Sequence, residues 1–276
     1  MAQLELRLSI PFRLDGRPEQ WPGCIFHYNN RLKSLYTDAL MRELAAAADG
    51  EDAQIGFVTL EGCFFLLEYE QLMEIARTIR RHFSLTERVK WRAHCEPGRL
   101  STGILNFCKN MDFYELCIDY RTSSLDEAQT LGFPPARTEM QHTKQVLDHS
   151  VFRRFSLLLE GEYCNQTDAA WKETLRDAAG FGPIAIRLPV DVTDKRYEMA
   201  MQKLAAADYR PLPADTAVFV KKEMDFEPDT AADGILGCGL GAVTRLDGLA
   251  CQNTYDLEFY LQHSADYTKI ARPLPE

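Results

Sequence analysis

Six times between Leu4 and Val192 a short apolar stretch gives way to an amphipathic one, and that order limits the fold more than any other feature of the chain. The apolar stretches read LELRLSIPF, IGFVTLEG, VKWRAHCEP, FYELCIDYR, RFSLLLEGEY and PIAIRLPV. Alternating with them stand LKSLYTDALMRELAAAA, LEYEQLMEIARTIRRHF, STGILNFCKNM, SLDEAQTLG, ARTEMQHTKQVLDHS and TDAAWKETLRDAAGFG. Several of these place apolar residues three and four apart, the spacing of a helix that buries one face. Strand then helix, repeated, predicts an α/β protein with a parallel sheet covered by helices. Such crossovers are right-handed, so six units can curl into an open or partial barrel with functional residues at the C-terminal strand ends.

After Val192 the text changes. A helix, RYEMAMQKLAAADYR, leads into Pro- and Asp-rich sequence, then a glycine-rich segment, GILGCGLGAVTRLDG, and a helix-like end, TYDLEFYLQHSADYTKI. The expected division is residues 1–192 as the strand-helix body and 193–276 as a smaller α+β region. Within the glycine-rich segment GCGLGA superficially matches a dinucleotide loop, but no strand-helix-strand unit follows it, and it is better read as a conformationally special turn.

Composition excludes several partner classes. A net charge of -10 and no stripe of Lys or Arg argue against a nucleic-acid partner. No apolar run approaches the roughly 20 residues that span a bilayer, so no membrane partner is expected. The stretch MAQLELRLSIPF alternates charged with apolar residues, unlike a signal peptide, and the expected location is cytoplasmic. Eight cysteines lie far apart with no C-x-x-C pair, which is not a disulfide framework.

Several separate segments together resemble one family. LSIPF, LYTDALMRELAAAA, EPGRLS, LDEAQTLGF, NQTDAAWKETLRDAAGFGP, RYEMAMQKLAAADYR and ILGCGLGAVTRLDGLACQNTYDLEFYL occur in the order and spacing of oxygen-independent coproporphyrinogen III oxidase and its haem-chaperone relatives, which are radical S-adenosylmethionine (SAM) proteins. The resemblance implies a partial (β/α)6 TIM-like barrel of the radical SAM type with a small C-terminal α+β region. It also implies a [4Fe-4S] cluster and S-adenosylmethionine, yet the positions that would hold them differ. In the family the first strand ends in Ile-Pro-Phe-Cys and opens a CxxxCxxC motif; here Arg13 stands at the first cysteine, Cys24 near the second and His27 at the third. The family's Gly-Gly-Gly-Thr-Pro turn is Leu60-Glu61-Gly62-Cys63-Phe64, its Glu-x-Asn-Pro is His94-Cys95-Glu96-Pro97, and its Gly-Val-Gln-Ser-Phe is Asp119-Tyr120-Arg121-Thr122-Ser123. Arg187 takes the place of an aromatic residue in the sixth strand.

The changes concentrate where cluster and cofactor would touch. The expectation is therefore a degenerate, non-catalytic relative with no cofactor. Its candidate ligand-binding residues are Arg13, Glu61, His94, Glu96, Arg121 and Arg187. Guanidinium groups at strand ends bind a carboxylate or phosphate by paired hydrogen bonds, with a tetrapyrrole propionate as the family's instance. Alternatively these charges pair with one another and fill the cavity, since an unpaired buried charge is costly; a catalytic use is a further reading, and a protein partner is another occupant. Cys24 and His27 form half of a metal site, and either would suffice as an axial haem ligand. The rival class is an active oxidoreductase of porphyrin or haem metabolism with an atypical iron-sulfur or metal site.

Overall fold

A computed structural model describes residues 3–13, 26–27, 29–48, 53–130, 136–150, 152, 154–159, 166–189, 193–213, 215–224, 226 and 232–274. In chain order the elements are β1 (Gln3–Ile10), β2 (Phe12–Arg13), β3 (Phe26–His27), α1 (Asn30–Ala48), β4 (Gln54–Gly62), α2 (Tyr69–His82), β5 (Leu85–Cys95), α3 (Thr102–Asn110), β6 (Phe113–Arg121), α4 (Leu125–Thr130), α5 (Ala136–Asp148), β7 (Phe155–Leu159), α6 (Asp168–Gly180) and β8 (Ala185–Arg187). They continue as α7 (Asp194–Ala205), β9 (Tyr209–Leu212), β10 (Asp215–Lys221), β11 (Gly234–Cys238), β12 (Val243–Leu246), β13 (Leu249–Asn253), α8 (Leu257–His263), α9 (Tyr267–Ile270) and β14 (Ala271–Pro273). All six predicted strands and the helices between them are present.

The chain divides into two compact units, one of Met1–Ala93, Asn110–Tyr114 and Ala231–Glu276, the other of His94–Lys109 and Glu115–Thr230. In the first, β11, β1, β4 and β5 run parallel, and β12, β13 and β14 extend the β11 side antiparallel. In the second, β6, β7 and β8 run parallel, and the β10–β9 hairpin continues from β8. The expected α/β class with a mostly parallel sheet is therefore present. Closure into a barrel is not: the strand order runs out at β14 in the first unit and at β9 in the second.

Local sequence accounts for the helices. In α2, Leu72, Ile75, Ala76 and Ile79 fall at helical spacing and are buried, a capping box joins Glu68 to Gln71, and Arg80, Arg81 and His82 close the last turn where cations suit the helix dipole. The α6 start is fixed by Thr167, whose hydroxyl accepts from the Ala170 N–H at 3.1 Å. Its inner face is Trp171, Thr174, Leu175 and Ala178.

In α1 the buried stripe contains a carboxylate. Glu43, 1% exposed, accepts from the Gly239 N–H (2.7 Å), the Asn253 side-chain amide (2.6 Å) and the Tyr260 hydroxyl (2.5 Å). One side chain thus ties α1 to the loop after β11, to β13 and to α8. Tyr36, two turns earlier on the same α1 face, donates to the Ser9 carbonyl at 2.6 Å, accepts from the Leu240 N–H at 3.0 Å and stacks on Tyr260. Gly239 is required here: at φ +107° a Cβ would lie 2.6 Å from the Ser9 carbonyl oxygen and 2.7 Å from the Tyr36 hydroxyl. The glycine-rich segment is a turn that carries backbone up to a buried acid.

Burial raises the Glu43 carboxyl to about 7, against the Tyr260, Gly239 and Asn253 hydrogen bonds that lower it. The groups facing it, Tyr36, Tyr260 and the Cys238 thiol, are themselves pushed up by burial. A raised folded-state value stabilises fully below the ordinary carboxyl value of 4.5, and the contribution is lost as pH rises through about 7. Urea titrations across that range should show Glu43→Gln losing this part of the pH dependence. The variant should also be less stable by roughly 1–3 kcal/mol in acid, because its amide N–H2 meets donors.

Candidate functional site

Parallel strands buried on both faces ordinarily read as continuous apolar runs. Here β1, β5 and β6 do not. Along β1, Leu4, Leu6, Leu8 and Ile10 alternate with Glu5, Arg7 and Ser9, so one face of the strand is apolar and the other carries charge. Register then sets Arg7 beside Thr59 of β4, and Thr59 beside Arg92 of β5.

Across that row Glu5 acts as the hub. It is 4% exposed and accepts from the Thr59 hydroxyl (2.6 Å), Arg92 Nη2 (2.8 Å) and Arg7 Nη2 (3.0 Å), while Arg92 Nε donates to Thr59 at 2.8 Å. Burial alone would raise its carboxyl; the Arg7 hydrogen bond, the Arg92 charge and Thr59 outweigh it and hold Glu5 down to about 2. Arg7 also reaches Glu61 at 3.5 Å, and Arg92 lies over the Phe57 ring at 5.4 Å.

The second unit repeats the arrangement with other residues. Glu115, Cys117 and Asp119 share one face of β6 by their spacing of two. Arg187 of β8 donates to Glu115 through Nε (3.0 Å) and Nη2 (2.7 Å), a two-point ion pair, and the Ser156 hydroxyl of β7 also donates to Glu115. Burial raises the Glu115 carboxyl less than the Arg187 charge and these bonds lower it. The Arg187 guanidinium lies 5.7 Å from the centre of the Phe226 ring.

Farther along the same face, Asp119 faces two cations. Arg121 Nη2 is 3.5 Å from one carboxylate oxygen, and His94 Nδ1 is 3.9 Å from the other, ion-pair distance but too long for a hydrogen bond. His94 also faces the Cys117 thiol; although burial opposes it, the sulfur and the Asp119 carboxylate hold the imidazole protonated well above its ordinary value. Arg121 sits at φ +63°, a backbone conformation rarely adopted outside glycine.

The predicted site residues therefore separate. His94 and Arg121 meet at Asp119, Arg187 turns to Glu115, Glu96 is buried and lies 3.8 Å from Arg99, and Glu61 belongs to the Arg7 row of the first unit. Arg13 and His27 are register partners in the short β2–β3 pair, and their side chains lie outside the described residues, as does Cys24. Among the described residues no group of three or more His, Cys, Asp or Glu is placed to hold a metal ion. No described helix is long and apolar enough to cross a membrane. Attention to strand ends missed Glu5, Arg7, Thr59, Arg92, Glu115, Cys117 and Ser156. For Glu5, Arg7, Arg92 and Glu115 the signal was present as period-two charge inside LELRLSI, KWRAHC and FYELCID; the uncharged Thr59, Cys117 and Ser156 carried none.

No protein-family model matches the sequence, and no curated protein matches it. Among solved structures the chain is similar to coproporphyrinogen III oxidase (HemN) from Escherichia coli, a radical SAM enzyme. The two are 14% identical, with a TM-score of 0.74 over 99% of this chain and 72% of that one. The likeness is one of fold.

Glu115 and Arg187 give a direct test of the paired interior. Arg187→Met strands a buried carboxylate and should cost about 3–5 kcal/mol in urea unfolding, whereas Glu115→Leu combined with Arg187→Met should recover most of that loss. A double-variant loss equal to the sum of the losses of Arg187→Met and Glu115→Leu alone would show that the pair carries no coupling.

Proposed function

We propose that the chain is a radical-SAM-like scaffold working without cluster chemistry, and that it binds a small anionic ligand at the C-terminal strand ends. The scaffold in this reading is a partial (β/α)6 barrel over residues 1–192 with a C-terminal α+β region over 193–276. The observation that carries the reading is Arg121, held in a left-handed backbone that costs on the order of 1 kcal/mol. That conformation places its guanidinium 3.5 Å from Asp119, beside the protonated His94. Two cations, Arg121 and His94, thus converge on the one Asp119 carboxylate at the strand end, an arrangement that suits the binding of an anion. Of the other candidates, Arg187 is committed to Glu115 by two short bonds and lends the site charge.

The residues do not fit the family's cluster. Three thiolates must converge on a [4Fe-4S] centre that also binds S-adenosylmethionine. The matching positions here are Arg13, Cys24 and His27, a single thiolate, and a guanidinium has donors but no lone pair for iron. The anion site proposed here uses neither cluster nor cofactor, and haem at Cys24 or His27 is not needed to account for the second-unit charges.

The ligand class is a molecule bearing carboxylates. A tetrapyrrole with its propionates is the instance suggested by the fold likeness to coproporphyrinogen III oxidase; an acidic surface of a protein partner would present the same group. Calorimetric titration with coproporphyrin III and with citrate should give saturable binding, weakened about tenfold or more by Arg121→Ala. Absence of binding for both probes, or affinity that Arg121→Ala leaves unchanged, overturns the anion site. Anaerobic reconstitution with iron and sulfide is expected to yield no stoichiometric cluster; four irons per chain would overturn the cluster-free scaffold.

A further inference from the structure

The helix α8 rests on one buried side chain. Of its seven residues only Tyr260 is buried, and a helix this short does not hold its shape in water alone. Tyr260 reaches α1 through its hydroxyl, which donates to Glu43 at 2.5 Å, and through its ring, which stacks on Tyr36 with the centroids 5.5 Å apart. Arg42 donates to the Leu261 carbonyl at 2.8 Å from the exposed side. Glu43 is the acceptor at the centre, 1% exposed, and it also accepts from the Gly239 N–H and the Asn253 amide. These donors are all neutral, so an ionised Glu43 has hydrogen bonds there without a counter-charge.

From this geometry we infer that Glu43 and Tyr260 form a proton-operated latch, which holds α8 on α1 while Glu43 is neutral and releases it when Glu43 ionises. The latch is independent of the anion site, which belongs to the other unit. The titratable groups facing Glu43 are Tyr36 on its own helix, Cys238 of β11 and Tyr260, all pushed up by burial and neutral through this range. Both α2 and α9 also pack on α1, and their charges are engaged elsewhere: Arg77 pairs with Glu74, Lys269 with Asp266, and the Tyr267 hydroxyl meets the Cys251 thiol. His263 of α8 lies against the Phe259 ring, and the remaining charges of α2 and α8 are exposed. Lifting α8 gives Glu43 water in place of the Tyr260 hydroxyl, while Gly239 and Asn253, whose hydrogen bonds favour the charged form, remain. The docked value of about 7 then relaxes toward the ordinary 4.5. Because the docked value is the higher, docking is strongest below 4.5 and weakens by about tenfold per pH unit above it; the proton's contribution is lost once pH passes about 7.

Amide hydrogen exchange of the folded full chain from pH 5 to pH 8, read by peptide mass spectrometry and corrected for the chemical exchange rate at each pH, reports this opening. Peptides covering α8 should lose protection roughly fiftyfold between those limits. Peptides of α2, whose buried stripe of Leu72, Ile75, Ala76 and Ile79 does not involve Glu43, should keep theirs. Glu43→Gln should make α8 protection independent of pH, and Tyr260→Leu, which removes both hydroxyl and ring, should leave α8 open at pH 5 as at pH 8. Circular dichroism identifies a variant that has not folded, and in that case the profile of the unaltered chain decides by itself. The inference is overturned if corrected α8 protection is flat from pH 5 to pH 8, or if α2 loses protection in parallel with it. It is equally overturned if folded Glu43→Gln keeps the profile of the unaltered chain.

Discussion

The arrangement of this protein depends on one constraint: a charge placed inside a strand of a covered sheet must meet its counter-charge on the neighbouring strands. Glu5 meets Arg7 on its own strand, Thr59 on β4 and Arg92 on β5, all within 3.0 Å. Shifting β4 or β5 by one residue would turn Thr59 or Arg92 to the other face and leave a carboxylate buried without them. The apolar residues of β1 specify only that one face is buried. The ion pairs specify which residue stands beside which, so polar side chains that add little net stability still select one register.

The two buried acids of the first unit show how the surroundings decide the state of the same functional group. Glu5 lies among two guanidiniums and a hydroxyl and is held down to about 2; Glu43 lies among an amide, a backbone N–H and a phenol and is raised to about 7. Both lose hydration and both accept three hydrogen bonds. The difference is formal positive charge: neutral donors offset part of the desolvation cost, while guanidiniums reverse it. Glu43 accordingly acts as a polar tie between α1, the Gly239 turn and α8 through neutral donors, and Glu5 acts as the negative centre of a charged row.

The elements were largely legible and the site only partly so, for a common physical reason. Periodicity reports which side of an element is buried, and the α2 positions Leu72, Ile75, Ala76 and Ile79 declare it without help from distant sequence. The β9–β10 hairpin was less visible because Pro211 and Pro213 with Asp215 read as a loop, although Val218, Phe219 and Val220 supply a buried strand. The return of β11 to lie beside β1, Leu4 against Gly234 and Leu8 against Cys238, is a long-range pairing that no local pattern encodes. Among site residues, Arg121 and Arg187 were visible as charges at strand ends. Their partners Asp119 and Glu115 differ by four residues on one strand, and only the register across β7 and β8 decides which arginine finds which acid.

That assignment bears on what such a site does. An anion entering a face already filled with ion pairs must compete with a resident carboxylate, so the pairs are not equivalent targets. Displacing Glu115 from Arg187 gives up two charge-assisted bonds at 3.0 and 2.7 Å and leaves the acid buried beside Ser156. Displacing Asp119 from Arg121 gives up the 3.5 Å contact between them, and Asp119 retains the protonated His94 on its other oxygen. Of the two carboxylate contacts, the one at Arg121 is the weaker. On the proposed reading, charge at Arg187 serves the site through its field, and an anion is expected to exchange at Arg121, where a left-handed backbone, a 3.5 Å contact and a second cation coincide.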